Sequence, residues 1–276
     1  MLPSYLLSLR EGIEAALVIG IVISALRKIH RTELAPALWL GALSAVVVSV
    51  VSAIVLTRFG LSLEGNAEVV FEGGTMLVAA GILTWMIFWM SRQAHTLKSE
   101  LEADVNKAAA STGKRAVFWL AFLAVVREGI ELALFLTASV FATNALQTAL
   151  GAVLGLGTAI LLGWSIFAAI VRLDLRRFFQ VTGFLLILFA AGLVAQGIHE
   201  FNEIGWVPVI VEHVWNVNTI ISEDSTFGLL LKALFGYNGN PSLTEMIFYA
   251  GYLAIVGLAL RLGQKKPEKT ATQVQA

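Results

Sequence analysis

Residues 6–23 read LLSLREGIEAALVIGIVI, and residues 122–138 read FLAVVREGIELALFLTA. Both stretches contain the pentapeptide Arg-Glu-Gly-Ile-Glu, at Arg10–Glu14 and at Arg127–Glu131, 117 residues apart. Each apolar stretch is part of a run long enough to cross a bilayer, and the pentapeptide then lies well inside the hydrocarbon region. Ionisable side chains at that depth cost several kcal/mol, so an arginine and two glutamates repeated in two helices indicate a functional site.

The composition is that of an integral membrane protein. Of the 276 residues, 58% are hydrophobic and 14% are charged, and the mean hydropathy is +0.81. Soluble domains contain roughly 25% charged residues. The formal net charge is zero, which gives no indication of a nucleic-acid partner. The sequence has no cysteine, which excludes disulfides, thiolate metal sites and thiol catalysis.

We predict an all-α fold with seven transmembrane helices. Seven apolar segments have the required length of ~20 residues. They are 4–26, 35–57, 69–90, 116–138, 147–171, 179–199 and 245–262. Apart from the two motif arginines, fifteen Lys and Arg residues lie on one side of these segments and two on the other, Arg58 and Lys232. The positive-inside rule makes the first side cytoplasmic, with the N-terminus outside and the C-terminus inside.

The first three helices resemble the next three. Behind the shared motif, WLGA at 39–42 matches ALGA at 149–152, and VAAGI at 78–82 matches FAAGL at 189–193. Because a three-helix unit crosses three times, its second copy is inverted, and inverted repeats build secondary transporters with a midplane site. The predicted organisation is a first repeat over 1–95, a cytoplasmic linker over 96–115, a second repeat over 116–200, an outer loop region over 201–244, and a seventh helix with a cytoplasmic tail over 245–276.

The spacing within the motif puts both acids on one face of a helix. Residues three apart share a helix face, so Glu11 projects with Glu14, and Glu128 projects with Glu131. If the two helices touch, four carboxylates converge, and a multivalent cation would relieve their repulsion. Oxygen ligands favour a hard ion over a soft one. The alternative is an Arg–Glu brace between helices, which uses one acid per arginine and leaves one acid per helix over.

Several other residues belong to this prediction. Arg10 and Arg127 can reach the glutamates four positions later, and Gly12 and Gly129 allow close helix approach or local unwinding. Glu72, in Phe-Glu-Gly at the outer start of the third helix, is a further carboxylate ligand or else an acid at a solvated helix N-terminus.

Two groups lie outside the midplane. The outer sequence with His199, Glu200 and Glu203 either captures a metal ion outside the pore or is a solvated surface. The stripe formed by Trp85, Met86, Trp89 and Met90 at the end of the third helix is interpreted as an interfacial aromatic belt.

The doubled motif, with the Phe-Glu-Gly of the third helix, resembles the oxidase-dependent iron transporter family of fungal high-affinity iron permeases and bacterial EfeU-type permeases. The resemblance covers essentially the whole chain. It implies iron import across a bacterial inner membrane, with Glu11, Glu14, Glu128 and Glu131 as iron ligands and Glu72 as a further one. It also implies oxidase or iron-delivery partners outside the membrane, similar to EfeO and EfeB. Iron is then the transported substrate, and no cofactor is expected. Ferric iron fits the oxygen ligands well, but the sequence does not decide the valence.

Three alternatives remain open at the level of sequence. A proton-coupled transporter of another divalent cation, such as lead or manganese, would use the same carboxylates. A di-iron membrane enzyme would require Glu-x-x-His pairs, and no histidine follows the motif glutamates at that spacing. A structural subunit would use the charges only to hold a complex together.

Overall fold

The chain folds into long helices. The computed structural model describes residues 1–93, 113–167, 174–212 and 235–264, with single residues and short runs between 101 and 108 and between 214 and 231. No strand occurs among these described residues. The long helices are α1 (Leu2–Lys28), α2 (Ala35–Leu61), α3 (Asn66–Gln93), α4 (Lys114–Ala142), α5 (Ala145–Phe167), α6 (Leu175–Glu203) and α7 (Leu243–Gln264).

In the described part of the chain, five helices are long and apolar enough to cross a membrane, namely α2, α3, α5, α6 and α7. The other two long helices, α1 and α4, have 27 and 29 residues, and each carries the arginine and the two glutamates of one motif. Large apolar side chains cover the outside of α2 and α5, for example Val47 and Ile160, which are 62% and 69% exposed. A helix with an apolar outer surface is suited to contact with lipid tails.

The connections are described only in part. The predicted linker, 96–115, falls largely outside the described residues, as does the tail after residue 264. Within the linker, Val105 is fully buried and packs in a cluster with Leu26 of α1 and Leu38 of α2. This part of the linker therefore lies against the ends of α1 and α2 that were predicted to be cytoplasmic.

Helices α1 and α5 run parallel to each other in close contact. A Cβ atom placed on Gly12 would lie 2.6 Å from the Cβ of Ala159, and one placed on Gly20 would meet the ring of Phe167. The residue numbers of the contacting positions increase together in both helices, so the two helices run in the same direction. Glycines at such positions let two backbones approach closely, as in small-residue interfaces of membrane helices.

Helices α2 and α4 form a second parallel pair. A Cβ on Gly41 would meet the backbone of Phe118, and the hydroxyl oxygens of Thr57 and Thr137 lie 3.1 Å apart. Helix α4 also contacts α1, so the two parallel pairs meet along the helices that carry the motifs.

Helices α3 and α6 form an antiparallel pair. Gly73 near the start of α3 faces Gly197 near the end of α6, and Ile87 near the end of α3 faces Gly183 near the start of α6. Helix α7 packs on α6 and is tied to α3 by Thr84 and Tyr252, whose hydroxyl oxygens are 2.6 Å apart. The largest buried cluster joins α3, α4 and α6 to Leu7 of α1.

The close α1–α5 contact predicts a sharp difference between two neighbouring glycines of α5. A Cβ on Gly155 would collide with the carbonyl oxygen of Tyr5 and lie 2.8 Å from the Cβ of Ser8, whereas a Cβ on Gly157 would meet nothing within 4 Å. We expect Gly155→Ala to destabilise the fold by about 1–3 kcal/mol through overpacking. Gly157→Ala is the matched control and should be neutral or slightly stabilising. Thermal unfolding of the purified protein in detergent measures both, and equal midpoints would contradict the described contact.

Candidate metal site

Three motif glutamates from two helices meet where α1 contacts α4. One carboxylate oxygen from each of Glu11, Glu128 and Glu131 lies within 4.8 Å of the other two. Glu11 comes from the first motif, and the other two come from the second. The group, called the glutamate triad below, is therefore assembled by tertiary packing and not by one stretch of sequence.

Glu11 is buried, Glu128 and Glu131 are half-buried, and three oxygens of the triad have no hydrogen-bond partner among the described residues. Glu11 is 1% exposed, and neither of its carboxylate oxygens has a hydrogen-bond partner among the described residues. The same is true of Oε2 of Glu131. Buried polar atoms nearly always have a partner, so each exception requires a specific explanation such as a bound ion.

Both the charge and the spacing of the triad suit a cation. Two carboxylate charges at the upper limit of this spacing, 4.8 Å, repel each other by about 3 kcal/mol at an effective dielectric constant near 20. Three oxygens spread around one small hard cation lie about 3.6 Å from one another, because each bond is about 2.1 Å long. Side-chain movements of less than about 1 Å would therefore bring the three oxygens onto one ion.

The motif arginines pair within their own helices. The Nε–H of Arg10 donates to Oε1 of Glu14 at 3.0 Å, and the Nε–H of Arg127 donates to Oε1 of Glu131 at 3.2 Å. These pairs span four residues on one helix, so they do not brace α1 against α4. The structure thus brings three of the four motif glutamates together and leaves Glu14 beside Arg10.

The motif glycines serve close helix approach. Both lie in continuous helix, so the alternative of local unwinding does not apply. A Cβ on Gly129 would lie 2.5 Å from the Cβ of Ser49 in α2, just as one on Gly12 would press on Ala159 in α5. Each glycine therefore seats a motif helix against its parallel partner.

Glu72 belongs to a separate acidic group. Its charge interacts with those of Glu68, Glu200 and Glu203, and it is not a member of the triad. Gly73 beside it would place a Cβ 3.1 Å from the Cβ of Glu200, so α3 and α6 are in close contact there. The structure places Glu72 with the predicted outer residues, at the opposite end of α3 from the motif arginines.

A cavity of ≈ 570 Å³ lies next to this outer acidic group. His199, Glu200 and Glu203 of α6 line it, together with Glu212 and with Glu245 of α7. The three predicted capture residues therefore share one cavity. Acidic walls around a cavity concentrate cations there.

Residues 1–264 match the iron permease FTR1 family. The chain belongs to this family. It is 34% identical over 264 residues to the ferrous iron permease EfeU of Shigella sonnei and to that of Escherichia coli O157:H7, covering 94% of this chain and 96% of each relative. The EfeU of Yersinia pestis is 32% identical over 255 residues, which cover 92% and 90% of the two chains. No solved structure matches the chain.

Membership in the FTR1 family confirms the resemblance seen in the motifs. The chain is a transporter and not an enzyme, and with its apolar helices it is a multi-pass membrane protein.

Glu245 is a residue at the outer site that the sequence did not identify. It is buried, and its carboxylate accepts hydrogen bonds from the Nδ2 of Asn238 at 2.8 Å and the backbone N–H of Ser242 at 3.3 Å. Nδ1 of His199 lies 3.0 Å from Oε1 of Glu245, and Nε2 of His199 lies 3.4 Å from Oε1 of Glu203. The sequence signal for Glu245 is the pattern Ser-x-x-Glu that begins at Ser242, which is typical of a capping box at the start of a helix. The structure forms this box at the start of α7, because the backbone N–H of Glu245 also donates to the Ser242 hydroxyl.

Trp89 and Met90, which the sequence assigned to an interfacial aromatic belt, contact the motif arginines. The guanidinium carbon of Arg127 lies 4.5 Å from the ring centroid of Trp89, and Nη2 of Arg10 donates to Sδ of Met90 at 2.9 Å. Trp85, one turn earlier, is 61% exposed and fits the predicted aromatic belt. The belt interpretation did not include the contacts of Trp89 and Met90 with the motif arginines, and it is wrong for Met86, which is buried in the largest core cluster.

The buried contacts of Glu245 predict a structural role at the outer end of α7. Glu245→Ala removes the acceptor for Asn238 and the cap of the helix, so we expect a loss of about 2–4 kcal/mol in the free energy of unfolding. Glu64→Ala, in the exposed connection between α2 and α3, is the control and should change it by less than about 0.5 kcal/mol. Denaturation in detergent measures both. A normal stability for Glu245→Ala would refute the role.

Proposed function

We propose that this chain imports iron across the bacterial inner membrane, with the glutamate triad as the ion site in the pathway. The observation that carries the proposal is the group of three carboxylates drawn from both motifs, in which oxygens of the buried Glu11 and of Glu131 have no hydrogen-bond partner among the described residues. Family membership supports iron as the ion. Glu14 stands beside the triad, because its charge interacts with those of Glu128 and Glu131. It is the fourth carboxylate on the path.

Ferrous iron is the transported form in this proposal. The chemistry of the oxygen ligands suits ferric iron, as expected from the sequence, but it also accepts ferrous iron. The names of the EfeU relatives, which are ferrous iron permeases at 34% identity, favour the ferrous ion. The uptake experiment below therefore compares ferrous iron with ferric iron.

The proposed architecture has seven membrane spans in an inverted 3+3 arrangement, with the seventh helix added and the N-terminus outside. The packing supports it. Exchanging α1 with α4, α2 with α5 and α3 with α6 turns the α1–α5 pair into the α4–α2 pair, and leaves the α3–α6 and α1–α4 contacts in place. This pattern is expected when two copies of one unit meet about a pseudo-two-fold axis in the membrane plane.

The proposed path begins in the outer cavity. His199, Glu200 and Glu203 would collect the cation there, and Glu72 would accept it next, because its charge interacts with those of Glu200 and Glu203. The ion would then reach the triad, where it relieves the mutual repulsion of three carboxylates. Protons held by the empty carboxylates would be released on binding, so that uptake is linked to pH. Outside partners similar to EfeO and EfeB would deliver the iron to this cavity.

A second candidate function uses the same residues. A proton-coupled transporter of manganese or lead would also use a hard carboxylate site, and oxygen ligands alone discriminate weakly among divalent ions. Family membership favours iron over this alternative. Competition by manganese and lead in the uptake assay separates the two functions.

The triad predicts which glutamates are essential for uptake. In proteoliposomes with radioactive iron, we expect Glu11→Gln, Glu128→Gln and Glu131→Gln each to reduce the rate at least about tenfold, which corresponds to about 1.4 kcal/mol. The amide keeps the volume of the side chain but loses the charge that binds the cation. Glu64→Gln, at an exposed position, is the control and should transport normally.

The design of this assay separates the alternatives. Ascorbate-reduced iron and ferric citrate are compared under otherwise equal conditions, and thermal unfolding confirms that each variant is folded. Uptake that is equal in wild type and triad variants would mean that the glutamates are structural. Uptake of manganese or lead in strong preference to iron would support the second candidate.

The outer cavity predicts a different kinetic signature. Glu203→Gln, and likewise Glu200→Gln, should raise the iron concentration for half-maximal uptake several-fold, because each change removes one negative charge from a cavity rim that attracts cations. The maximal rate should stay close to that of wild type, whereas Glu131→Gln lowers it. A fall in maximal rate with an unchanged half-saturating concentration would argue against capture in this cavity.

A further inference from the structure

Both motif arginines contact the last turn of α3. They belong to different helices and to different copies of the motif. Among the described residues, Arg10 donates a hydrogen bond to Met90 and Arg127 lies over the ring of Trp89, so both arginines contact consecutive residues of α3. Helix α3 itself contributes no residue to the glutamate triad. Its last turn is therefore placed to act on the triad through the arginines.

Arg10 is held in a buried position by two partners on different helices. It is 1% exposed, its Nε–H donates to Glu14, and its Nη2 donates to the sulfur of Met90. Nη1 has no partner among the described residues. The thioether thus occupies one arm of the guanidinium group of Arg10, the residue that precedes the triad member Glu11 in the chain.

Arg127 is held by an aromatic face. Its guanidinium carbon lies 4.5 Å from the ring centroid of Trp89, within the range of a cation–π interaction, while Nε donates to Oε1 of Glu131. The other oxygen of Glu131, Oε2, has no partner in the described part of the chain. The stacked position of Arg127 therefore leaves this oxygen available to a cation.

We infer that Trp89 and Met90 are positioning residues. They hold Arg127 on one oxygen of Glu131 and Arg10 on one oxygen of Glu14, and so keep both guanidinium groups off the remaining oxygens of the glutamate triad. An arginine presents five N–H donors and pairs readily with a carboxylate through two of them. Once released from α3, either guanidinium group would compete with the transported cation for triad oxygens. The inference rests on the proposed function and adds residues that set the affinity of the same site.

The experiment measures saturable iron uptake in proteoliposomes for paired variants. Trp89→Leu removes the aromatic face and Trp89→Phe retains one, while Met90→Leu removes the acceptor atom and Met90→Gln supplies a carbonyl acceptor of similar length. The chain offers matched controls one turn earlier on the same helix. They are Trp85→Leu, at an exposed position, and Met86→Leu, in the buried cluster.

We expect Trp89→Leu to raise the half-saturating iron concentration about tenfold, within the range of 2- to 30-fold that corresponds to a cation–π interaction. Trp89→Phe should stay within about threefold of wild type. Met90→Leu should raise the same quantity about threefold, and Met90→Gln should restore it. The maximal rate and the thermal unfolding midpoint should change little, which separates positioning from a merely structural role.

Two results would overturn the inference. One is a half-saturating concentration for Trp89→Leu and Met90→Leu equal to that of the controls. The other is an equal defect in Trp89→Phe and Trp89→Leu together with no rescue by Met90→Gln. Should Trp89→Leu fail to fold, the Trp89→Phe and Met90 variants decide the matter.

The same assay separates this inference from the proposed function. Wild type and Glu128→Gln are measured in parallel with the α3 variants. Saturable uptake that depends on Glu128, with normal affinity in the Trp89 and Met90 variants, overturns the inference alone. Absence of saturable uptake in wild type, or equal uptake in Glu128→Gln, overturns both.

Discussion

Mutual repulsion among buried carboxylates is the constraint on which the rest of this structure depends. Glu11, Glu128 and Glu131 lie within 4.8 Å of one another at a helix contact, and in a membrane interior such charges require compensation. Two arginines supply part of it, but each pairs within its own helix with a single glutamate, and Glu11 has no partner among the described residues. The remaining negative charge gives the site its affinity for a cation, and a transported ion is suited to supply the compensation.

The packing of the helices holds these charged groups at a fixed distance from one another. Gly12 seats α1 on α5, and Gly129 seats α4 on α2, so that each motif helix is fixed from behind by a parallel partner while its acids face the other motif. Helix α3 contacts both the outer acidic group and the motif arginines. Its outer end carries Glu72 in the outer acidic group, and its last turn contacts both arginines. One helix thus links the outer cavity to the electrostatics of the triad.

The sequence was informative where function requires costly residues and uninformative where contacts depend on packing. The pentapeptides predicted the helices, the family and the Arg–Glu pairs at four-residue spacing, because helical periodicity alone determines those pairs. They did not predict that only three of the four motif acids meet and that Glu14 is not in this group, since this depends on the rotation of α1 against α4. The role of Glu245 was visible as a capping box, but its contact with His199 joins α7 to α6 across 46 residues. Trp89 and Met90 resembled an interfacial belt because their arginine partners lie 38 and 80 residues away in the sequence.

The central claim, that both motifs together form one cation site, is tested most directly by equilibrium binding of radioactive ferrous iron to the purified protein in detergent under reducing conditions. The account predicts that Glu11→Gln and Glu128→Gln, which alter different helices, each remove the same single equivalent of saturable iron, while Glu64→Gln binds as wild type does. Removal of both glutamates in one chain should cause no further loss. Full binding in either single variant, or losses that add in the double variant, would contradict a shared site.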